Sequence, residues 1–171
     1  MKLNEQPPEK MAGVGQHLQV HSIFSTIQGE GPFAGCRAIF VRLAGCNLQC
    51  PLCDTDYTST RVGYSVPALM ELVKEVTYPI PELVVITGGE PLRQDIHDFC
   101  VALLNAGFQV QVETNGTYFR PLPFYHPRFH IVCSPKTAKV NAVLLPHIRA
   151  LKYVASAASM ESNAAVLPAC R

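Results

Sequence analysis

Four polar motifs in this sequence each follow directly on a short apolar run. Ala38-Ile-Phe-Val-Arg-Leu43 leads into residues 45–55, and Leu83-Val-Val-Ile-Thr87 into residues 87–91. Gln109-Val-Gln-Val-Glu113 leads into residues 113–116, and His130-Ile-Val-Cys133 into residues 134–136. Short apolar runs bounded by turn residues read as strands, and near-continuous ones as buried parallel strands. Residues 21–26 and Leu151-Lys-Tyr-Val154 read as two more. Helices fit between them. Ser65 is an N-cap, Pro67 sits in the first turn, and Leu69, Met70, Val73 and Val76 form a stripe. Asp95 is expected to cap a second helix bearing Ile96, Phe99, Cys100 and Leu103, with Gly107 as its C′ glycine. A short third helix is expected over residues 139–145. Residues 120–127 hold three prolines, so that crossover is a loop.

Strands alternating with helices imply parallel β/α units. An eight-unit barrel takes about 250 residues. At roughly 30 residues per unit, this chain has room for about five or six. The expectation is an α/β fold, a partial, open TIM-like (β/α) barrel of about five to six strands. Its strand ends would bring all four motifs to one face, where active sites assemble.

The first motif carries Cys46, Cys50 and Cys53 in a C-x3-C-x2-C spacing. A cubic iron–sulfur cluster takes four ligands. Three thiolates on one loop leave one iron open to a small molecule. Zinc, which favours four closed ligands, and a closed four-cysteine cluster are the competing readings. No second C-x2-C or paired-histidine motif is present, and Cys36, Cys100, Cys133 and Cys170 stand at no familiar spacing.

Composition narrows the setting. Hydrophobic residues make up 48% and charged residues 16%, which suits a well-buried fold. A net charge of +1 offers no electrostatic case for nucleic acid or an anionic membrane. No apolar run approaches membrane-spanning length, and the first seventeen residues lack a secretory pattern. Seven cysteines, an odd number, argue against paired bridges and for a reducing, cytoplasmic setting. Residues 1–17 read as a flexible tail ahead of one domain over residues 18–171.

Over residues 21–154 the sequence resembles the 7-carboxy-7-deazaguanine synthases, radical S-adenosylmethionine (SAM) enzymes of queuosine and deazapurine biosynthesis. The resemblance rests on Phe24-Ser-Thr-Ile-Gln-Gly-Glu-Gly31, Ile39-Phe-Val-Arg-Leu43, the cysteine loop ending Cys53-Asp-Thr55, Val85-Ile-Thr-Gly-Gly-Glu-Pro91, Glu113-Thr-Asn-Gly-Thr117 and Ser134-Pro-Lys136. The cysteine loop and Gly-Gly-Glu-Pro are shared across radical SAM enzymes. The Gln-Gly-Glu-Gly turn, the Asp-Thr pair and Ser-Pro-Lys are more specific.

The resemblance implies that a 4Fe–4S cluster reduces bound SAM. The resulting 5′-deoxyadenosyl radical takes hydrogen from 6-carboxy-5,6,7,8-tetrahydropterin. The pterin ring contracts and ammonia leaves. It also implies residue roles. Cys46, Cys50 and Cys53 would hold the cluster, and Thr55 would give a hydroxyl to Mg2+. Leu52, Cys53, Asp54, Gly89, Glu90, Glu113, Ser134, Pro135 and Lys136 would contact SAM, with Glu90 on the methionyl ammonium and Glu113 on the ribose. Ile27, Gln28, Gly29, Arg42 and Thr87 would contact the pterin. Arg42 lies within an apolar strand, so a carboxylate partner from substrate or protein is expected. A homodimer and an electron donor such as flavodoxin or ferredoxin are implied as well.

The family continues past this point with a further strand, whereas residues 155–171 show no strand pattern. The chain therefore reads as short at its C-terminus. Alternatives are a radical SAM activase acting on a protein glycine, and a truncated, non-catalytic cluster-binding or zinc-binding protein.

Overall fold

The β-branched and apolar runs become strands of one sheet, and the two Ser- and Gly-bounded stripes become helices. The computed structural model describes residues 3–13, 17–76 and 83–153. Its strands are β1 (His17–Ile27), β2 (Arg37–Leu43), β3 (Val62–Ser65), β4 (Leu83–Gly88), β5 (Gln109–Thr114), β6 (Phe129–Cys133) and β7 (Ile148–Leu151). Its α-helices are α1 (Val66–Glu75) and α2 (His97–Asn105). Among the described residues the sheet has seven strands, in the order β3-β1-β2-β4-β5-β6-β7. The five from β2 to β7 in that order run parallel, as expected of an open barrel. β1 runs antiparallel to both β2 and β3.

Side chains alternate across a strand, so each parallel strand serves two faces. One face carries Ile39, Val41, Leu43, Val84, Ile86, Val110, Val112, Phe129 and Ile131 against Leu69, Val73, Phe99 and Leu103 of the helices. This is the main core. The other face carries Ala38, Leu83 and Val85, packed with Phe33 and Phe40, and continues toward the strand ends as Arg42, Thr87 and Glu113. The helix-free face is therefore apolar at one end and polar at the other.

Helix α1 starts as its sequence directs. The Ser65 hydroxyl accepts from Ala68 N at 3.4 Å, and Leu69, Met70 and Val73 are buried. Helix α2 ends in a Schellman motif: Gly107 N donates to Leu104 O at 3.1 Å and Phe108 N to Leu103 O at 3.1 Å. Gly107 takes φ +97° there, which a side chain would resist.

Several local expectations need correction. The third helix over residues 139–145 is absent. That stretch is turns followed by a 3-10 turn at Leu145–His147, where Pro146 lacks the amide that would continue a helix. Asp95 does not occupy the cap of α2; Ile96 does, and Asp95 Oδ1 accepts from His97 N at 3.3 Å. Val76 is the C-cap of α1 rather than part of its stripe. The first strand is longer than residues 21–26, and its edge partner β3 was not anticipated because Val62-Gly-Tyr-Ser65 is short and exposed. The last strand lies at Ile148–Leu151 rather than at residues 151–154. Residues 3–13, read as part of a free tail, instead lie hydrogen-bonded along the cysteine loop. The reading of residues 155–171 falls outside the described residues. Among the described residues no helix is long and apolar enough to cross a membrane.

Candidate active site

The cysteine loop leaves the end of β2 through a turn that needs glycine. Gly45 has φ +84°, and a Cβ there would meet the Arg93 guanidinium at 2.6 Å. Arg93 is buried, and its Nη2 donates to Ala44 O at 3.1 Å. Cys46 is buried, while Cys50 and Cys53 are half-buried. Cys53 N donates to Cys50 O at 3.2 Å, which folds the C-x2-C segment into a tight turn. Leu48 N approaches Cys46 Sγ at 3.5 Å. Burial pushes the Cys46 thiol up to about 11, and the charges of Glu90 and Cys53 act in the same direction. Such a thiol becomes a thiolate when a metal displaces its proton.

The second motif closes on the first. β4 ends at Gly88, with φ +147°, where any Cβ would strike the Leu43 carbonyl oxygen. Gly89 packs on Cys46 and the Gly45 carbonyl. Glu90 is fully buried and accepts three hydrogen bonds: from Leu92 N at 2.9 Å, Thr114 Oγ1 at 2.7 Å and Asn115 N at 2.7 Å. Desolvation pushes its carboxyl up to about 7, against the pull of those donors. Glu90 thus binds the end of β4 to the end of β5. A bridge of amides completes the link. Asn115 Nδ2 donates to Asn47 Oδ1 at 2.9 Å, and Asn47 Nδ2 donates to Thr117 Oγ1 at 2.8 Å.

A polar cluster lies on the helix-free face. Arg42 and Thr87 are register partners on β2 and β4, and Thr87 Oγ1 donates to Glu113 Oε2 at 3.3 Å. Gln28, in the turn after β1, donates from Nε2 to Glu113 Oε1 at 2.9 Å. Gln111 Nε2 donates to the same oxygen at 2.9 Å. Lys152 Nζ lies 2.6 Å from Glu30 Oε2 and 3.8 Å from Glu113 Oε2. Arg42 stands with Cζ 6.0 Å from the Phe24 ring centroid. Among the described residues no protein carboxylate pairs with it, so the partner expected from the protein is absent.

The other expected site residues are more peripheral. Ile27 and Gly29 are exposed beside Gln28. Leu52 and Asp54 are exposed on the outer limb of the cysteine loop, and Thr55 Oγ1 donates to Asp54 Oδ1 at 3.0 Å. Ser134 N donates to Thr114 O at 2.8 Å, which holds Ser134, Pro135 and Lys136 beside the Glu90 anchor. Lys136 Nζ donates to Ser134 Oγ at 2.8 Å.

Sequence reasoning missed Tyr57, Asn47 and Lys152. Tyr57 is buried beneath the cysteine loop, and its carbonyl accepts from Gly45 N at 2.8 Å. Its nearness to Cys53 was the available signal. Lys152 stood as a lone cation in an apolar run, the same signal that marked Arg42.

The donor set suits an iron–sulfur cluster with three protein thiolates: three soft sulfurs, one loop and a glycine wall. Among the described residues no three His, Cys, Asp or Glu side chains gather as a single-ion site.

Residues 40–129 match the family model described as the Radical SAM superfamily. The chain is 48% identical over 145 residues to the 7-carboxy-7-deazaguanine synthase of Rhodospirillum rubrum, covering 85% of this chain and 61% of that one. It is 44% identical over 156 residues to the protein of the same name from Rickettsia prowazekii, covering 85% of this chain and 65% of that one. The crystal structure of QueE from Escherichia coli superposes with a TM-score of 0.74 at 28% identity, covering 86% of this chain and 75% of that one. The chain thus spans less than two thirds of the length of these two curated relatives.

Proposed function

The chain belongs to the radical SAM superfamily, and from that premise we propose that it converts 6-carboxy-5,6,7,8-tetrahydropterin to 7-carboxy-7-deazaguanine, releasing ammonia, in queuosine or other deazapurine biosynthesis. Membership implies a 4Fe–4S cluster and SAM, which together supply a reductively generated carbon radical when bound. Cys46, Cys50 and Cys53 hold the cluster. Gly88 and Gly89 let β4 pack backbone to backbone on the cysteine loop, buried Glu90 holds the ends of β4 and β5 together behind it, and Leu52, Asp54 and residues 134–136 line the SAM side. Thr55 would give its hydroxyl to a Mg2+ ion, which takes few protein ligands and would hold the substrate carboxylate.

One observation carries the substrate reading: Gln28, Thr87 and Gln111 converge on the Glu113 carboxylate beside an Arg42 that lacks a protein carboxylate among the described residues. A reduced pterin is rich in N–H donors and carries one carboxylate. Glu113 accepts from the ring, Gln28 and Thr87 fix Glu113, and Arg42 takes the substrate carboxylate, with Ile27 and Gly29 against the ring. Glu113 would serve equally as an acceptor for the SAM ribose hydroxyls. The reading extends to a cytoplasmic homodimer and to reduction by a flavodoxin or ferredoxin.

The test is anaerobic SAM cleavage by the reconstituted chain. Deoxyadenosine release should rise when the carboxytetrahydropterin is added and not when a glycine-containing polypeptide is. Release unaffected by the pterin would overturn the proposal.

A further inference from the structure

We propose that residues 3–13 act as a strap that holds the cysteine loop in its cluster-binding geometry, with Gln6 and Asn4 as positioning residues. The proposal rests on the iron–sulfur reading of the loop. A loop outside the sheet ladder leaves backbone carbonyls in need of donors. The strap supplies four. Glu9 N donates to Cys46 O at 2.7 Å, and Asn4 N to Pro51 O at 3.1 Å. Asn4 Nδ2 donates to Cys50 O at 3.1 Å, and Gln6 Nε2 to Thr55 O at 2.9 Å.

Gln6 does more than cap one carbonyl. Its Oε1 accepts from Tyr57 N at 2.8 Å and from Thr58 Oγ1 at 3.0 Å. One amide side chain therefore pairs with the backbone on both sides of Asp56, as a strand neighbour would. The Tyr57 hydroxyl lies 3.3 Å from both Gln6 O and Leu48 O, so the buried ring joins the strap to the middle of the loop.

The strap is itself anchored. The Glu9 carboxylate pairs with Arg61 and, at 3.2 Å, with the buried Arg93, whose Nη1 also donates to Lys10 O at 3.2 Å. Ala12 N donates to Arg93 O at 2.8 Å, and Arg120 Nη2 donates to Ala12 O. Because Arg93 also holds Ala44 O at the root of the loop, the same guanidinium fixes the strap and the loop's departure from β2.

Hydrogen bonds to cluster sulfurs help set reduction potential, and Leu48 N already approaches Cys46 Sγ in this loop. A loop released from the strap would lose that alignment. Outer-shell partners typically change metal retention about ten- to a hundred-fold.

The test compares the wild-type chain with Gln6→Ala, Gln6→Glu and Asn4→Ala after anaerobic reconstitution with iron and sulfide. Three readouts are taken: cluster loss to a chelator, cluster reduction potential, and melting temperature of the metal-free chain. Gln6→Ala and Asn4→Ala should lose cluster about ten-fold faster, with a shifted potential and little change in melting temperature. Gln6→Glu replaces the donor to Thr55 O with a carboxylate oxygen that repels that carbonyl, so it should lose cluster at least as fast as Gln6→Ala. Unchanged loss rate and potential in both alanine variants would overturn the strap alone. So would loss only in proportion to a lowered melting temperature, which would make the segment ordinary packing. A wild-type chain that takes up no cluster would overturn the iron–sulfur reading with it.

Discussion

Gly89 lies against Cys46 with no room for a side chain. A Cβ built on Gly89 would come within 2.7 Å of the Cys46 Cβ and strike the Gly45 carbonyl oxygen. Two separate motifs are thereby locked together at their backbones. Gly89→Ala must push the cysteine loop away from β4, at a cost of about 1–3 kcal/mol for overpacking. Iron content after reconstitution should fall with it. Gly13→Ala, where a Cβ meets nothing within 4 Å, should change neither quantity.

Three thiolates on one loop make a sharp expectation for the cysteines. Cys50→Ala should abolish cluster assembly and SAM cleavage together. Cys36 is exposed, and Cys36→Ala should retain full iron and sulfide. Cys170→Ala should do the same. Loss of the cluster in either would identify a fourth thiolate and close the site to SAM.

Thr55 Oγ1 donates to Asp54 Oδ1 at 3.0 Å. Thr55→Ala should weaken the magnesium dependence of turnover and leave the visible absorbance of the cluster intact. An unchanged magnesium titration would remove Thr55 from the ion's shell.

Glu90 links pH to stability. Its carboxyl is raised from 4.5 to about 7 by burial, so the folded chain holds that proton more tightly than the unfolded one. The stability this contributes is complete below pH 4.5 and is lost as pH rises through about 7. The melting temperature of the metal-free chain should therefore carry a falling component across that window. Glu90→Gln should lack the component, while losing stability at all pH values because its amide faces the Asn115 N–H donor. Parallel pH curves for the two proteins would contradict this.

Four of the parallel strands, β2, β4, β5 and β6, were legible because each is an apolar run ended by a polar motif; β7 has no such ending and lies at Ile148–Leu151 rather than at residues 151–154. The residues at those ends, from Cys46 to Lys136, were legible as types at spacings. What sequence could not supply was cross-chain satisfaction. Nothing local marks Gln6 as the partner of Thr55 O and Tyr57 N, since the pairing spans about fifty residues of chain. A Pro- and Glu-rich start suggests fraying, and the donors that overturn it are four ordinary side-chain and backbone groups. The absent third helix had the same cause in reverse. Residues 139–145 have helical composition, but Asn141 N is taken by Gly116 O, and Asn141 Oδ1 accepts from Val143 N. Those bonds hold the segment as turns.

The most direct measurement is product formation by the 171-residue chain itself. The chain is reconstituted anaerobically and supplied with reductant, SAM, magnesium and 6-carboxytetrahydropterin, and the mixture is followed by mass spectrometry. The account expects 7-carboxy-7-deazaguanine and deoxyadenosine to accumulate together. An intact cluster that cleaves SAM but leaves the pterin unchanged would contradict it.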